Sequence, residues 1–200
     1  MARYKLHCIG ASGNSYKLAL CLNCAGLDWE PVGVEFAGGQ TRDANWRVGM
    51  NAMGEVPVLE VDGQLMSQSG AILIWLSETT GKFAPGADQR YEALRWIMFD
   101  NHKFTNNHAM HRFQRSFMPE PVHPAILSFL RSRTEASFAI AEKHLANRAF
   151  MLGPSWIFPW RDMCITPRKR AASTSRRIFR RSMPGASASR RCRAGNRPTN

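Results

Sequence analysis

Between Glu55 and Glu78 the chain reads EVPVLEVDGQLMSQSGAILIWLSE. Two short β-prone runs flank Asp62-Gly63, and a longer apolar run follows and gives out before Gly81. Asp-Gly between such runs signals a hairpin, because both turn residues accept positive φ. The spacing predicts strands over 56–61 and 64–66 and a helix from about Gln68 to Thr80 that stops at Gly81. Pro57 has no N–H to give a β-ladder, so it marks a sheet margin or a deliberate bend. The polar pair Gln68-Ser69 stands where the helix opens.

The residues before this segment alternate in the same way. Residues 4–9 read as a strand, and the loop GASGN leads to a helix from near Ser15. In that helix Leu18, Cys21, Leu22 and Ala25 recur at helical spacing before Gly26 ends it. WEPVGV reads as a second strand and QTRDANWRVG as a weak, short helix. The order βαβαββα makes residues 1–81 an α/β domain. GKFAPGAD, ending at residue 88, reads as a linker over 82–88, and residues 89–152 read as helical. One long helix is predicted over 89–117 and a second opens at Pro124. Its stripe is Leu127, Leu130, Thr134, Phe138, Ala141 and Leu145. His108 with Leu94, Ile97, Asn101 and Phe104 forms a partly polar row, expected to face a cleft between the two domains where an apolar co-substrate would sit.

The net charge of +12 is not spread over the chain. Residues 1–160 carry 15 Lys/Arg and 14 Asp/Glu, whereas residues 161–200 carry 12 Lys/Arg and Asp162 alone. The body is nearly neutral, so nucleic-acid binding is not expected of it and would rest on the tail, 153–200, which reads as basic and disordered. No apolar run reaches membrane-spanning length, and residues 1–10 lack the apolar core of a signal peptide, so the expected location is cytoplasmic. Five cysteines, an odd number, suit a reducing compartment. Cys21-x-x-Cys24 falls within a helix rather than at a strand–helix junction, which argues against redox work, and Cys8 reads as a small core residue. His102, His108 and His111 have no acidic or cysteine partner, so no metal is expected.

Residues 1–152, about three quarters of the chain, resemble the glutathione S-transferase family, through EVPVLEVDGQLMSQSGAILIWLSE and SGNSYKLAL. The resemblance implies a thioredoxin-like N-terminal domain followed by a helical C-terminal domain, here truncated. It implies a cis bond before Pro57, leaving the backbone of Val56 free to pair with a peptide as an added strand would. Gln68 and Ser69 would meet the γ-glutamyl end of glutathione at a helix N-terminus. Ser12, four before Tyr16, matches the family's catalytic serine, whose hydroxyl favours the thiolate; Ser15 is the competing candidate, with an N-cap as its other role. Glu55 departs from the basic or neutral residue common at that place and would repel the glycyl carboxylate, leaving Gln40 or Arg42 to help hold that end. The activity implied is conjugation of the glutathione thiolate to an electrophilic small molecule, by a homodimer, with glutathione as co-substrate and no metal. Two other readings stay open: a glutathione-binding carrier or thiol-exchange protein without transferase turnover, and nucleic-acid binding through the tail.

After Leu152-Gly153 the family would continue with a Ser/Thr-x-x-Asp capping box opening a buried helix. Reading the last base of each codon with the first two of the next permits Ser-Ile-Val-Asp-Phe-Ser-Met-Ala-Gly-Tyr-Val-Tyr-Tyr-Pro from the Gly153/Pro154 junction. The Asp there is forced by Trp156-Ile157, and a Val by Met163-Cys164. A one-base frameshift is therefore expected to have replaced the C-terminal quarter, the other reading being a true basic tail. Resequencing through codon 153 decides between them.

Overall fold

The computed structural model describes residues 2–148 and 151–152. The tail at 153–200, with the reading-frame question attached to it, lies outside the described residues.

Strand β1 (Tyr4–Cys8) turns Tyr4, Leu6 and Cys8 into the core and Lys5 and His7 to the other face, as the two-residue period of a strand dictates. It pairs in parallel with β2 (Trp29–Gly33) across helix α1 (Gly13–Cys24). On its other side it runs antiparallel to β3 (Val58–Val61), which pairs with β4 (Gln64–Ser67), giving the order β2-β1-β3-β4. Asp62 and Gly63, at φ 51° and 79°, turn the hairpin. Helix α2 (Ala44–Gly49) follows a 3-10 turn at Gln40–Arg42 and buries none of its residues. Asp43 caps it by accepting from the Trp46 N–H at 2.8 Å. Helix α3 (Ser69–Thr80) ends at Gly81 in the left-handed conformation. Leu6, Leu18, Leu22, Leu59, Ile72 and Leu76, all at most 1 % exposed, join α1 and α3 to one face of the sheet. This is the βαβαββα thioredoxin-like arrangement.

Most boundaries shift by a residue or two from the sequence reading, and two of the shifts bear on the site. Strand β3 starts at Val58 rather than Val56, since Pro57 cannot donate to the ladder and the Val56–Pro57 peptide is cis. Helix α1 starts at Gly13, and its N-cap is Ser12, not Ser15. Apolar periodicity begins only beyond Ser15, which hides the first turn from a periodicity reading.

The second unit is helical. The long helix predicted over 89–117 is three pieces: α4 (Arg90–Phe99), a π-helical segment (Asp100–Thr105) and α5 (Asn106–Ser116). Helix α6 (Pro124–Leu145) carries the expected stripe, Leu127 to Leu145, on its covered face. The π segment splits the row drawn through His108. Ile97 and Asn101 lie against Gly70 of α3, whereas Phe104 is fully buried with Phe138 and Ala141 of α6. A π turn carries more than 3.6 residues, so Phe104, near the end of the segment, leaves the helical row it would otherwise continue. Phe104 therefore does not face the inter-domain cleft.

The two units are joined by an ion pair. Lys17 Nζ of α1 stands 2.6 Å from Asp100 Oδ2, with both side chains 1 % exposed. Among the described residues no helix is long and apolar enough to cross a membrane, and no cluster of His, Cys, Asp and Glu could hold a metal ion.

Candidate functional site

The loop before α1 places Ser12 in extended backbone at φ −82°, ψ 126°. Its Oγ accepts from the Ser15 N–H at 3.3 Å, satisfying one of the orphan donors of the helix start. A serine hydroxyl that only accepts keeps its own proton to give. Ser12 is half-buried and so reachable. Ser15 is fully buried, and its hydroxyl accepts from the Ile9 N–H at 3.3 Å.

Ahead of β3, residues 50–56 fold into a tight loop. Asn51 donates from Nδ2 to the Glu55 carbonyl at 2.9 Å and accepts the Met53 N–H at 3.1 Å. Gly54, at φ 69°, has no room for a side chain: a Cβ would sit 2.8 Å from the Thr41 carbonyl oxygen. This packing delivers Val56 to the sheet margin half-buried, with neither its N–H nor its C=O hydrogen-bonded among the described residues. Backbone polar groups at such a place lack a ladder partner and can take one from a peptide.

Gln68 takes φ 68°, uncommon for a residue with a side chain, and turns the chain from β4 into α3. The N–H groups of Ser69, Gly70 and Ala71 open that helix without partners among the described residues, so they and the positive end of the helix can accept an anion. The Gln68 side chain donates to Glu55 Oε2 at 2.9 Å, so Glu55 stands beside this end of the site. Ser69 is 5 % exposed, and its hydroxyl donates to Asn14 Oδ1, on the first turn of α1, at 3.2 Å. Asn14 thus joins the two helix starts.

The helical unit closes on both. Gly70 lets Ile97 and Asn101 approach where a Cβ would come within 2.7 and 2.9 Å of them. Arg112 of α5 donates to the Ala11 carbonyl, next to Ser12, at 3.2 Å. Its neighbour Phe113 meets Phe36, in the loop after β2, edge to face at 6.2 Å between ring centres. His108, stacked on Phe104, is held below the ordinary imidazole range by burial first, then by the charges of Arg112 and His111.

Ser12, Val56, Pro57, Gln68 and Ser69 thus belong to loops that meet at one end of the sheet. Gln40 accepts the Glu35 N–H at 2.8 Å and so closes the loop 35–40. The buried Cys8 and half-buried Cys21 thiols are pushed up to about 11 and about 12 by desolvation, with Cys24 adding to the second. Neither is a ready thiolate at neutral pH. The sequence reading passed over Asn14, Asn51 and Arg112. Asn14 shares the SGNS run with Ser12, but nothing local reveals its partner 55 residues away.

The family model for the glutathione S-transferase N-terminal domain matches residues 3–78. Residues 3–78 are a glutathione S-transferase N-terminal domain. The chain is 34% identical over 109 residues to glutathione S-transferase F14 of Arabidopsis thaliana. That match covers 52% of the chain and 42% of the plant protein, so the chain spans less than half the length of that relative. A crystal structure of a glutathione S-transferase from Pseudomonas fluorescens superposes with a TM-score of 0.73 at 25% identity, covering 90% of this chain and 94% of the other. The glutathione transferase URE2P6 of Phanerochaete chrysosporium, solved with oxidized glutathione, shares the fold at 19% identity, with a TM-score of 0.71 and coverage of 90% and 92%.

Proposed function

We propose that this chain binds glutathione and transfers its thiolate to an electrophilic small molecule. The carrying observation is the free backbone of Val56 at the sheet margin, set beside the open N-terminus of α3 and the Ser12 hydroxyl. The oxidized glutathione in the solved complex of URE2P6, which shares the fold, is consistent with a glutathione ligand here. In this reading the cysteinyl N–H and C=O of the tripeptide pair with Val56 as an added strand. The γ-glutamyl carboxylate caps α3 at Ser69, with Gln68 beside it, and the thiol is directed toward Ser12. The thiol loses its proton to solvent, and the Ser12 O–H then donates to the thiolate and lowers the cost of forming it. The sulfur lone pair forms the new bond to the electrophilic carbon, and the leaving group departs with its electron pair. Phe36, Phe113 and Arg112 border the approach to Ser12. The working form is a cytoplasmic homodimer with no metal.

Calorimetric titration with glutathione, paired with conjugation of an activated aryl halide, tests this. Binding and turnover are expected, and Ser12→Ala should cut turnover by at least about tenfold, the size of one hydrogen bond to a charged group. Binding without turnover, unchanged by Ser12→Ala, selects the carrier reading. No binding overturns both.

A further inference from the structure

The Lys17–Asp100 pair is fully desolvated, and it joins the two units where the candidate site is built. Asp100 Oδ2 meets Lys17 Nζ at 2.6 Å, and its Oδ1 accepts from the Thr105 hydroxyl at 2.5 Å. Burying two ions costs solvation that their mutual attraction barely offsets, so such a pair is poorly explained by stability alone. Geometry explains it better. Lys17 lies three residues after Asn14, on one face of α1. Asn14 holds the first turn of α3 through Ser69, while Asn101, next to Asp100, rests on Gly70 in that same turn. Three contacts therefore close a triangle: α1 to the π segment through Lys17, the π segment to α3 through Asn101, and α3 to α1 through Ser69. Thr105, at the far end of the π segment, fixes the rotamer of Asp100 from within that segment.

We propose that Lys17 and Asp100 are positioning residues that set the distance between the Ser12 loop and the open start of α3, and so couple the helical unit to the thiol site. The affinity arm of this inference rests on the glutathione reading above; its exchange arm does not. An ion pair with a hydrogen-bonded carboxylate fixes register as well as contact. An apolar pair of similar volume would fill the space and leave the two helices free to slip.

The test uses the full chain with Asp100→Asn and with the double variant Lys17→Met/Asp100→Leu. In ligand-free protein, Asp100→Asn should speed amide hydrogen exchange at the first hydrogen-bonded amides of the two helices, residues 15–18 and 72–75, while leaving β1 and β3 protected. Its glutathione dissociation constant should rise by at least about tenfold, since small misplacements at a site are costly. The double variant should recover the melting temperature without recovering either the exchange protection or the affinity. If Asp100→Asn does not fold, the double variant alone decides. Native exchange and affinity in a stable double variant, or unchanged exchange in Asp100→Asn with only a lowered melting temperature, would overturn the proposal. Failure of the unmodified chain to bind glutathione would sink the functional reading instead, and the exchange measurement would still decide this one.

Discussion

The Ser69 hydroxyl, at the first residue of α3, donates to Oδ1 of Asn14 in the first turn of α1 at 3.2 Å. Two helix starts that are far apart in sequence are pinned by one side-chain bond. Asn14→Ala leaves a nearly buried hydroxyl without that acceptor, at a cost of about 1–3 kcal/mol. Denaturant unfolding should register this loss, and glutathione affinity should fall with it. Unaltered affinity in a destabilised variant would mean the bond serves folding only.

Gly70→Ala should be as damaging as a core substitution although it adds one methyl group. Its Cβ would meet Ile97 Cγ2 at 2.7 Å and Asn101 Nδ2 at 2.9 Å. Overpacking of this kind costs about 1–3 kcal/mol. A thermal melt should fall by several degrees, and a melt equal to that of the parent chain would show that α4 can retreat freely.

His108 makes stability depend on pH in a definite direction. Burial first, then the Arg112 and His111 charges, keep its folded pKa below the ordinary value of about 6.5. As pH falls below about 6.5 the unfolded chain takes up a proton before the folded chain does, so stability declines until the folded pKa is passed. Denaturant unfolding at pH 7.5 and 5.5 should show a smaller loss in His108→Gln than in the parent. Equal losses would remove His108 from the account.

Glu55→Gln should tighten glutathione binding a few-fold at low salt. The tripeptide is a net anion at neutral pH, and Glu55, expected from the sequence to face the glycyl carboxylate, instead lies 2.9 Å from Gln68, at the end proposed for the γ-glutamyl group. The gain should shrink as ionic strength rises, because the repulsion is screened over about 10 Å at 0.1 M. Weaker binding by the variant would show that Glu55 instead pairs with the γ-glutamyl ammonium.

What the sequence disclosed follows from how local each signal is. Asp62-Gly63 and Gly81 announce themselves because positive φ is a property of the residue and its immediate neighbours. The core stripe of α6 is equally plain, since Leu127 through Leu145 keep one period over the whole helix. Ser12 and Ser15 were harder to tell apart. Either can cap a helix, and what separates them is that Ser12 accepts the Ser15 N–H as the N-cap while Ser15 is buried and accepts the Ile9 N–H. Lys17 looks like an ordinary solvated lysine until Asp100, 83 residues later, is brought against it. The π segment was illegible for a related reason: its residues read as plain helix, and the break shows itself only through what Asp100 and Phe104 touch. The bond that closes the loop 35–40, from the Glu35 N–H to Gln40, has no signature in the sequence either.

The widened turn at Asp100–Thr105 also works as a gearbox between neighbours. At its first turn Asn101, with Ile97 of α4 just upstream, faces α3; near its far end Phe104 faces α6. Removing a single residue there would swing everything beyond by about 100° and present Phe104 to the wrong partner. One-residue deletions in this stretch should therefore be far worse tolerated than any single replacement within it.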